Sequence, residues 1–214
     1  MGALTHHQIP VTAFAQNCSL VICTTSLQAA LIDPGGDAQL IIDFVQRQHP
    51  AVKLDKILLT HGHLDHVGAA KVLAEYFGVP LIGPHEDDRF LFESLPQQSA
   101  MFGFPDCPVF LPDQWLTDSD KVSLGALKFD VLHCPGHTPG HIVFHAADQQ
   151  LLFSGDVVFK GGVGRADFPR GNAQQLIASI KNKLLPLGDE VTFIPGHGPR
   201  STLGHERLTN PFLR

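Results

Sequence analysis

The stretch LLTHGHLDHVGAA, residues 58–70, places three histidines and one aspartate within six consecutive positions. Its first residues belong to the strand-like segment KILLT, residues 56–60, and its last residues lead into a segment with a helical pattern. Imidazole and carboxylate groups are good metal donors, but one short cluster cannot complete the coordination shell of a metal ion. The stretch therefore predicts a metal site at the end of a strand, completed by residues from other parts of the chain.

Length and composition are those of an ordinary globular protein. The chain has 214 residues, of which 43% are hydrophobic and 17% are charged, so it can bury a sizeable core. We expect residues 1–214 to form a single domain. The net charge is −6 with neutral histidines, and Lys and Arg are not clustered. Because phosphate binding needs clustered cations, we expect no nucleic-acid partner.

The N-terminus, MGALTHHQIPVTAF, has no basic start followed by an apolar core, and no apolar run approaches the ~18 residues that span a membrane. We therefore expect a cytoplasmic protein without a membrane partner. The four cysteines form no CxxC pair, which argues against a thiolate zinc site and predicts reduced, mostly buried thiols.

Strand-like and helix-like segments alternate along the chain, which is typical of the α/β class. We predict strands at 9–14, 19–24, 29–33, 56–60, 80–83, 127–134, 141–146, 151–159 and 191–196. We predict helices at 37–48, 65–77, 86–95 and 172–184. The proline-rich segment 96–112 is expected to be a loop that contributes substrate contacts. Two sheets packed face to face with helices outside fit this order better than one doubly wound sheet.

Three further turns carry a donor directly after or between strands. In CPGHTPGH (134–141) the prolines and glycines exclude a helix, so His137 is expected at the apex of a turn. SGD ends an apolar strand at Asp156, and PGHG places His197 after another. Asp33 follows a strand in LIDPGG, where it is either a turn residue or a carboxylate that orients a liganding imidazole.

The donors are too many for one tetrahedral ion. His61 and His63 are two positions apart, so they face the same side of an extended segment and can bind one cation, while Asp65 and His66 can turn toward a second. The set is complete for two ions if one carboxylate bridges them. Imidazole and carboxylate donors suit zinc, iron or manganese.

These motifs resemble a known family. THGHLDH, CPGHTPGH, SGD and PGHG, in this order, are similar to the metallo-β-lactamase superfamily over essentially the whole chain. VTAFAQNCSL (11–20), FKGGVGRADFPRG (159–171) and ERLTNPFLR (206–214) resemble its glyoxalase II (hydroxyacylglutathione hydrolase) branch, and within it the short YcbL-type proteins. The resemblance implies an αββα sandwich of two mixed β-sheets flanked by helices, without the C-terminal helical domain of classical glyoxalase II.

The resemblance also implies a ligand set and two divalent metal ions, with zinc favoured and iron or manganese as alternatives. The first ion would be held by His61, His63 and His137, and the second by Asp65, His66 and His197. Asp156 would bridge the two ions. The lactamase branch proper usually has no bridging aspartate there, so Asp156 argues against antibiotic hydrolysis as the main role.

The implied reaction is hydrolysis of a small-molecule thioester. Two ions roughly 3.5–4 Å apart would provide a bridging hydroxide at neutral pH, and Asp65 could orient this nucleophile. S-lactoylglutathione, in methylglyoxal detoxification, is the substrate that the branch implies. Arg165 occupies the place of a family residue that contacts the glutathione carboxylate, which favours substrate binding over the alternative of a solvated loop arginine. The family often has tyrosine two positions further on, whereas Asp167 stands here, which predicts weaker or different glutathione contacts.

Other functions remain open at this point. A mononuclear iron persulfide dioxygenase on the same fold would use two histidines and Asp156 and would consume oxygen. A hydrolase of another small ester or thioester is also compatible with the motifs. A regulatory protein with a vestigial site is disfavoured because every donor is present.

Overall fold

Two β-sheets packed face to face form the centre of the molecule, in a computed structural model that describes residues 3–214. The first sheet has five strands whose spatial order is their chain order. They are β1 (Leu4–Val11), β2 (Gln16–Cys23), β3 (Gln28–Ile32), β4 (Lys53–Leu58) and β5 (Leu81–Ile82). Strands β1 to β3 pair antiparallel, whereas β3, β4 and β5 pair parallel, so the sheet is mixed.

The second sheet has six strands and is also mixed. Its strands are β6 (Lys121–Leu124), β7 (Leu127–His133), β8 (Ile142–Ala146), β9 (Leu151–Gly155), β12 (Thr192–Pro195) and β13 (Ser201–Thr202). Their spatial order is β13-β12-β9-β8-β7-β6, and β12 with β9 is the parallel pair. A short hairpin of β10 (Val158–Phe159) and β11 (Gly162–Val163) follows β9.

Helices cover the outer faces of the two sheets. They are α1 (Ala38–Asp43), α2 (Leu64–Val67), α3 (Ala70–Phe77), α4 (Arg89–Glu93), α5 (Leu95–Phe102), α6 (Ala173–Ser179) and α7 (Leu203–Thr209). α1 and α6 continue as π-helical turns through residues 44–48 and 180–184. Within residues 3–214, every helix is too short or too polar to cross a bilayer.

Strand β2 shows why the layers pack as they do. Leu20 and Ile22 face the helices on the outer side of the first sheet, while Val21 and Cys23 face the second sheet. Successive strand side chains point to opposite faces, so a strand buried on both faces needs apolar residues at every position. A third apolar cluster lies between the second sheet and α6. The predicted αββα sandwich of two mixed sheets is therefore confirmed.

The helix predicted at 65–77 is two helices, α2 and α3, because the chain turns between them. The backbone N–H of Ala69 donates to Pro34 O at 3.0 Å, outside the helix. Gly35 packs directly against this turn, where a Cβ would overlap the Asp65 carbonyl. The break keeps Asp65 and His66 on a single short turn beside the end of β4.

The loop predicted at 96–112 is wrong in its first part, because α5 extends to Phe102. Pro96 lies in the first helical turn, where its missing N–H would have had no partner in any case. The helix ends at Gly103, whose φ of 69° is left-handed. The irregular segment thus begins at residue 103.

Candidate metal centre

The donors meet because several strands end at the same edge of the sandwich. The segment from His61 to His66 follows β4, Asp156 follows β9 and His197 follows β12. His137 lies in the connection between β7 and β8. Polar residues just beyond buried strands converge at such an edge and commonly form binding sites.

Three imidazoles form a first cluster. His61 Nε2 is 3.1 Å from His63 Nδ1, which is 2.9 Å from His137 Nε2. His63 Nδ1 can share a hydrogen with only one of its two neighbours, so one nitrogen of the neutral rings is left without a hydrogen bond of its own. A cation among the three nitrogens would accept all three lone pairs. The first triad, His61, His63 and His137, is therefore suited to a metal ion.

A second triad comprises Asp65, His66 and His197. His197 Nε2 lies 3.1 Å from Asp65 Oδ2, and His66 Nε2 lies 3.8 Å from the same oxygen. Donor atoms of all three residues lie within 4.8 Å of one another. A tetrahedral zinc ion with bonds near 2.0–2.1 Å separates its donors by roughly 3.3 Å, so the spacing fits one ion.

Asp156 lies between the two triads. Its Oδ2 is 3.7 Å from His137 Nε2 in the first triad and 3.7 Å from His197 Nε2 in the second. Its Oδ1 is 3.4 Å from His66 Nε2. This carboxylate therefore contacts donors of both triads.

Two donor atoms at this point are buried without a hydrogen-bond partner among residues 3–214: His66 Nε2 and Asp156 Oδ1. Unsatisfied buried polar atoms are costly and rare, so each needs an explanation. Gly196 leaves space beside Asp156, because a Cβ at residue 196 would lie 2.2 Å from Asp156 Oδ1. The orphaned atoms, the cleared space and the nitrogen and oxygen donors together fit two divalent cations.

The electrostatics of the two triads differ. Burial and the neighbouring imidazoles hold the pKa of His61 well below its usual value and lower the pKa of His63 to about 3, so both rings are neutral, as metal ligands must be. Burial opposes the charging of His66, but the carboxylates of Asp156 and Asp65 outweigh it and raise the pKa of that imidazole. The same field favours a cation beside His66.

Asp33, which is held by Thr60, orients the imidazole of His66. Asp33 Oδ2 is 2.9 Å from His66 Nδ1 and accepts a hydrogen bond from the Thr60 hydroxyl at 2.5 Å, while Oδ1 accepts from Thr60 N at 2.7 Å. The short contact with a carboxylate holds a proton of His66 on Nδ1, so a cation that displaced the other proton would find the Nε2 lone pair beside Asp65 and Asp156. Asp33 has a φ of 51°, which directs its side chain into this cluster.

Backbone groups fix two other rings. His137 Nδ1 donates to Arg165 O at 2.6 Å, and His197 Nδ1 donates to Phe14 O at 3.1 Å, which leaves both Nε2 atoms toward the site. His141 instead uses its Nε2 to accept from the backbone N–H of Asp156 at 3.0 Å. The Nε2 atom of His141 therefore stabilises the turn at Asp156 and is not free to bind a cation.

The structure adds Asp88, which sequence reasoning missed. This fully buried carboxylate accepts hydrogen bonds from Gly62 N at 3.0 Å, from the Thr138 hydroxyl at 2.8 Å and from Gly140 N at 2.6 Å. Burial raises the pKa of Asp88 to about 7 against these hydrogen bonds. Asp88 thus joins the loop that carries His61 and His63 to the turn that carries His137.

Arg165 lies at the rim of the site and is paired. Its Nε and Nη2 donate to the two carboxylate oxygens of Asp167 at 3.0 and 2.8 Å, and its guanidinium lies 4.5 Å from the centre of the Phe168 ring. Both partners are exposed to solvent. A substrate carboxylate at Arg165 would compete with Asp167 for the guanidinium.

A cavity of about 670 Å³ opens over Asp65, His137, Asp156 and His197. This volume is within the range of small-molecule binding sites. Its floor includes residues of both triads, and its walls come from α4, α5 and the hairpin region after β9. The cavity therefore gives a small molecule access to the donor cluster.

Residues 11–197 match the family model described as the metallo-beta-lactamase superfamily. The chain belongs to this superfamily. It is 52% identical to hydroxyacylglutathione hydrolase GloC of Haemophilus influenzae, over 96% of both chains. The resemblance stated from the motifs is confirmed, and this superfamily member is a hydrolase of glyoxalase II-like type.

Solved structures of superfamily proteins agree with the fold of this hydrolase. It is similar to the BLEG-1 B3 metallo-beta-lactamase, with a TM-score of 0.89, 35% identity and coverage of 98% of this chain and 99% of the other. It is also similar to TTHA1623 in a di-iron-bound form, with a TM-score of 0.87, 37% identity and coverage of 97% and 100%. The structure of TTHA1623 shows that this fold can hold two iron ions.

Proposed function

We propose that this protein hydrolyses S-lactoylglutathione or a similar thioester with the aid of two divalent metal ions. The carboxylate of Asp156 carries the proposal, because it lies between two complete sets of three donors. The relative in Haemophilus influenzae supports the substrate class, since it is named a hydroxyacylglutathione hydrolase and matches over 96% of both chains. Breakdown of the thioester formed from methylglyoxal is the physiological role that this substrate suggests.

The ligand assignment follows the two triads. His61, His63 and His137 would hold one ion, Asp65, His66 and His197 the other, and Asp156 would contact both. Two such ions supply a hydroxide nucleophile at neutral pH and a Lewis acid for the carbonyl oxygen. Zinc is favoured by the nitrogen-rich donors, with iron and manganese as alternatives.

Asp65 is placed to orient the attacking water. Its side chain lies at the cavity floor, and its Oδ2 is 3.1 Å from His197 Nε2. Neighbouring His66 lowers the pKa of Asp65 against the effect of burial, so the carboxylate accepts hydrogen bonds at neutral pH. A water held by Asp65 would face a carbonyl carbon that enters from the cavity.

Departure of the thiolate needs little proton donation from the protein. A thiol has a pKa of about 8.5, so a thiolate leaves without strong acid assistance. We assign to Arg165 a contact with a carboxylate of the thiol half, in exchange for Asp167. Because that exchange opposes binding, the contact is expected to be weak.

Metal-loaded protein tests the proposal. Bound metals are measured by elemental analysis, and hydrolysis of S-lactoylglutathione is followed by loss of thioester absorbance, with a β-lactam as comparison substrate. We expect two ions per chain and thioester hydrolysis that Asp156→Asn abolishes. Oxygen consumption with glutathione persulfide, without any hydrolysis of the thioester, would instead establish the dioxygenase alternative.

A further inference from the structure

The walls of the cavity are apolar far beyond the metal centre. Phe168 stands closest, with its ring centre 4.9 Å from that of His63. On the opposite wall, Phe14 packs against Phe104 and Phe102 at ring-centre distances of 5.3 and 6.2 Å. Phe14 and Phe102 are 46% and 44% exposed, and both line the cavity. Clustered exposed aromatic side chains commonly mark a binding site for an apolar group.

Two polar side chains of the same wall, Gln98 and Ser94, bond to the backbone, whereas Gln97 also lines the cavity and is exposed. Gln98 Oε1 accepts from Leu64 N at 2.9 Å, and Gln98 Nε2 donates to Leu91 O at 2.9 Å. The Ser94 hydroxyl donates to Leu91 O at 3.0 Å. The side chains of Gln98 and Ser94 thus satisfy backbone atoms of the protein. The wall therefore offers a polar ligand few groups besides Gln97.

Charge is also scarce. Among the described residues that line the cavity, Arg165 is the one Lys or Arg, and it is paired with Asp167. Glutathione carries two carboxylates and one ammonium at neutral pH. One guanidinium, already neutralised, matches this charge pattern poorly.

We propose that the preferred substrate is a thioester with an apolar acyl chain, which lies against Phe14, Phe102 and Phe168 while its carbonyl reaches the metal centre. The inference rests on the proposed thioester hydrolysis and specifies its substrate. Apolar contact favours binding by up to about fourfold for each buried methylene. S-lactoylglutathione has a short, hydroxylated acyl group and gains almost nothing from these walls.

A series of acylglutathiones tests the inference on metal-loaded enzyme: lactoyl, butanoyl, hexanoyl and octanoyl. We expect kcat/KM to rise by about 16-fold from butanoyl to octanoyl if each added methylene is half-buried. Phe102→Ser should reduce the octanoyl-to-butanoyl ratio. Phe212→Ser is the matched control, because Phe212 is 55% exposed and lies outside the cavity, and it should leave the ratio unchanged.

Binding of S-butylglutathione, S-hexylglutathione and S-octylglutathione, measured by calorimetry, separates recognition from catalysis. These thioethers cannot be hydrolysed, and their affinity should rise with chain length. Hydrolysis that is independent of chain length, together with equal thioether affinities, overturns the inference but leaves the proposed reaction intact. Affinity that rises with chain length, without hydrolysis of any thioester, overturns the proposed reaction but supports the apolar site.

Discussion

Replacing Asp33 by asparagine perturbs the orientation of His66 without changing the shape of the site. The carboxylate accepts hydrogen bonds from Thr60 N, from the Thr60 hydroxyl and from His66 Nδ1. An asparagine amide must present its N–H₂ either to the Thr60 N–H or to His66. In the second orientation His66 moves its proton to Nε2 and loses the lone pair that faces Asp65. Loss of such an outer carboxylate lowers metal affinity about 10- to 100-fold, or about 1.4–2.7 kcal/mol.

In the assay, each variant competes with a chromophoric chelator for the metal. The titration resolves the dissociation constants of the first and the second ion. We expect Asp33→Asn to weaken one ion about 10- to 100-fold and to leave the ion of the first triad nearly unchanged. Asp120→Asn is the control, because Asp120 accepts from the N–H and hydroxyl of Thr117 in the same manner but touches no metal-ligating imidazole. Wild-type affinity for both ions in Asp33→Asn would refute the reasoning.

Three further perturbations follow from the site. Dialysis against a chelator should abolish hydrolysis, and a divalent ion should restore it; activity that persists in metal-free protein contradicts the assignment. Asp88→Asn leaves at least one buried donor without an acceptor, so it should reduce the free energy of unfolding by about 1–3 kcal/mol and weaken the ion of the first triad; an unchanged melting curve and affinity would count against this. Gly196→Ala places a methyl group 2.2 Å from Asp156 Oδ1, so the variant should bind fewer ions, whereas Gly162→Ala, whose nearest neighbouring atom would be at 3.8 Å, should retain both. Two ions and full activity in Gly196→Ala would show that Asp156 does not bridge.

Much of the fold and of the donor cluster could be predicted because the signals are local. Each strand that leads to the site is a short apolar run, and the donor follows it directly, as at His61, Asp156 and His197. A backbone that leaves a buried strand places its next residues at the sheet edge, so these positions need no knowledge of distant contacts. The metal-ligating roles, the single-domain layout, the cytoplasmic location and the lack of a nucleic-acid partner stay predictions.

The rest depends on contacts between distant segments. Asp88 stands among Glu86, Asp87 and Arg89 in the sequence, a pattern typical of a solvated surface, yet packing against the 137–141 turn buries it completely. The proline-rich composition of residues 96–112 predicts a loop and hides α5, whereas the first helical turn tolerates Pro96. The Arg165–Asp167 pair likewise depends on side-chain positions that spacing alone does not fix.

The origin of the donors in two different sheets has a consequence for the order of assembly. Asp65 and His66 follow a strand of the first sheet, while Asp156 and His197 follow strands of the second. An ion held jointly by these residues would need the segment around residue 197 to have left the ribosome and both sheets to have docked. Uptake of that ion would then come late in maturation, and the ion would link two sheets that are already packed together.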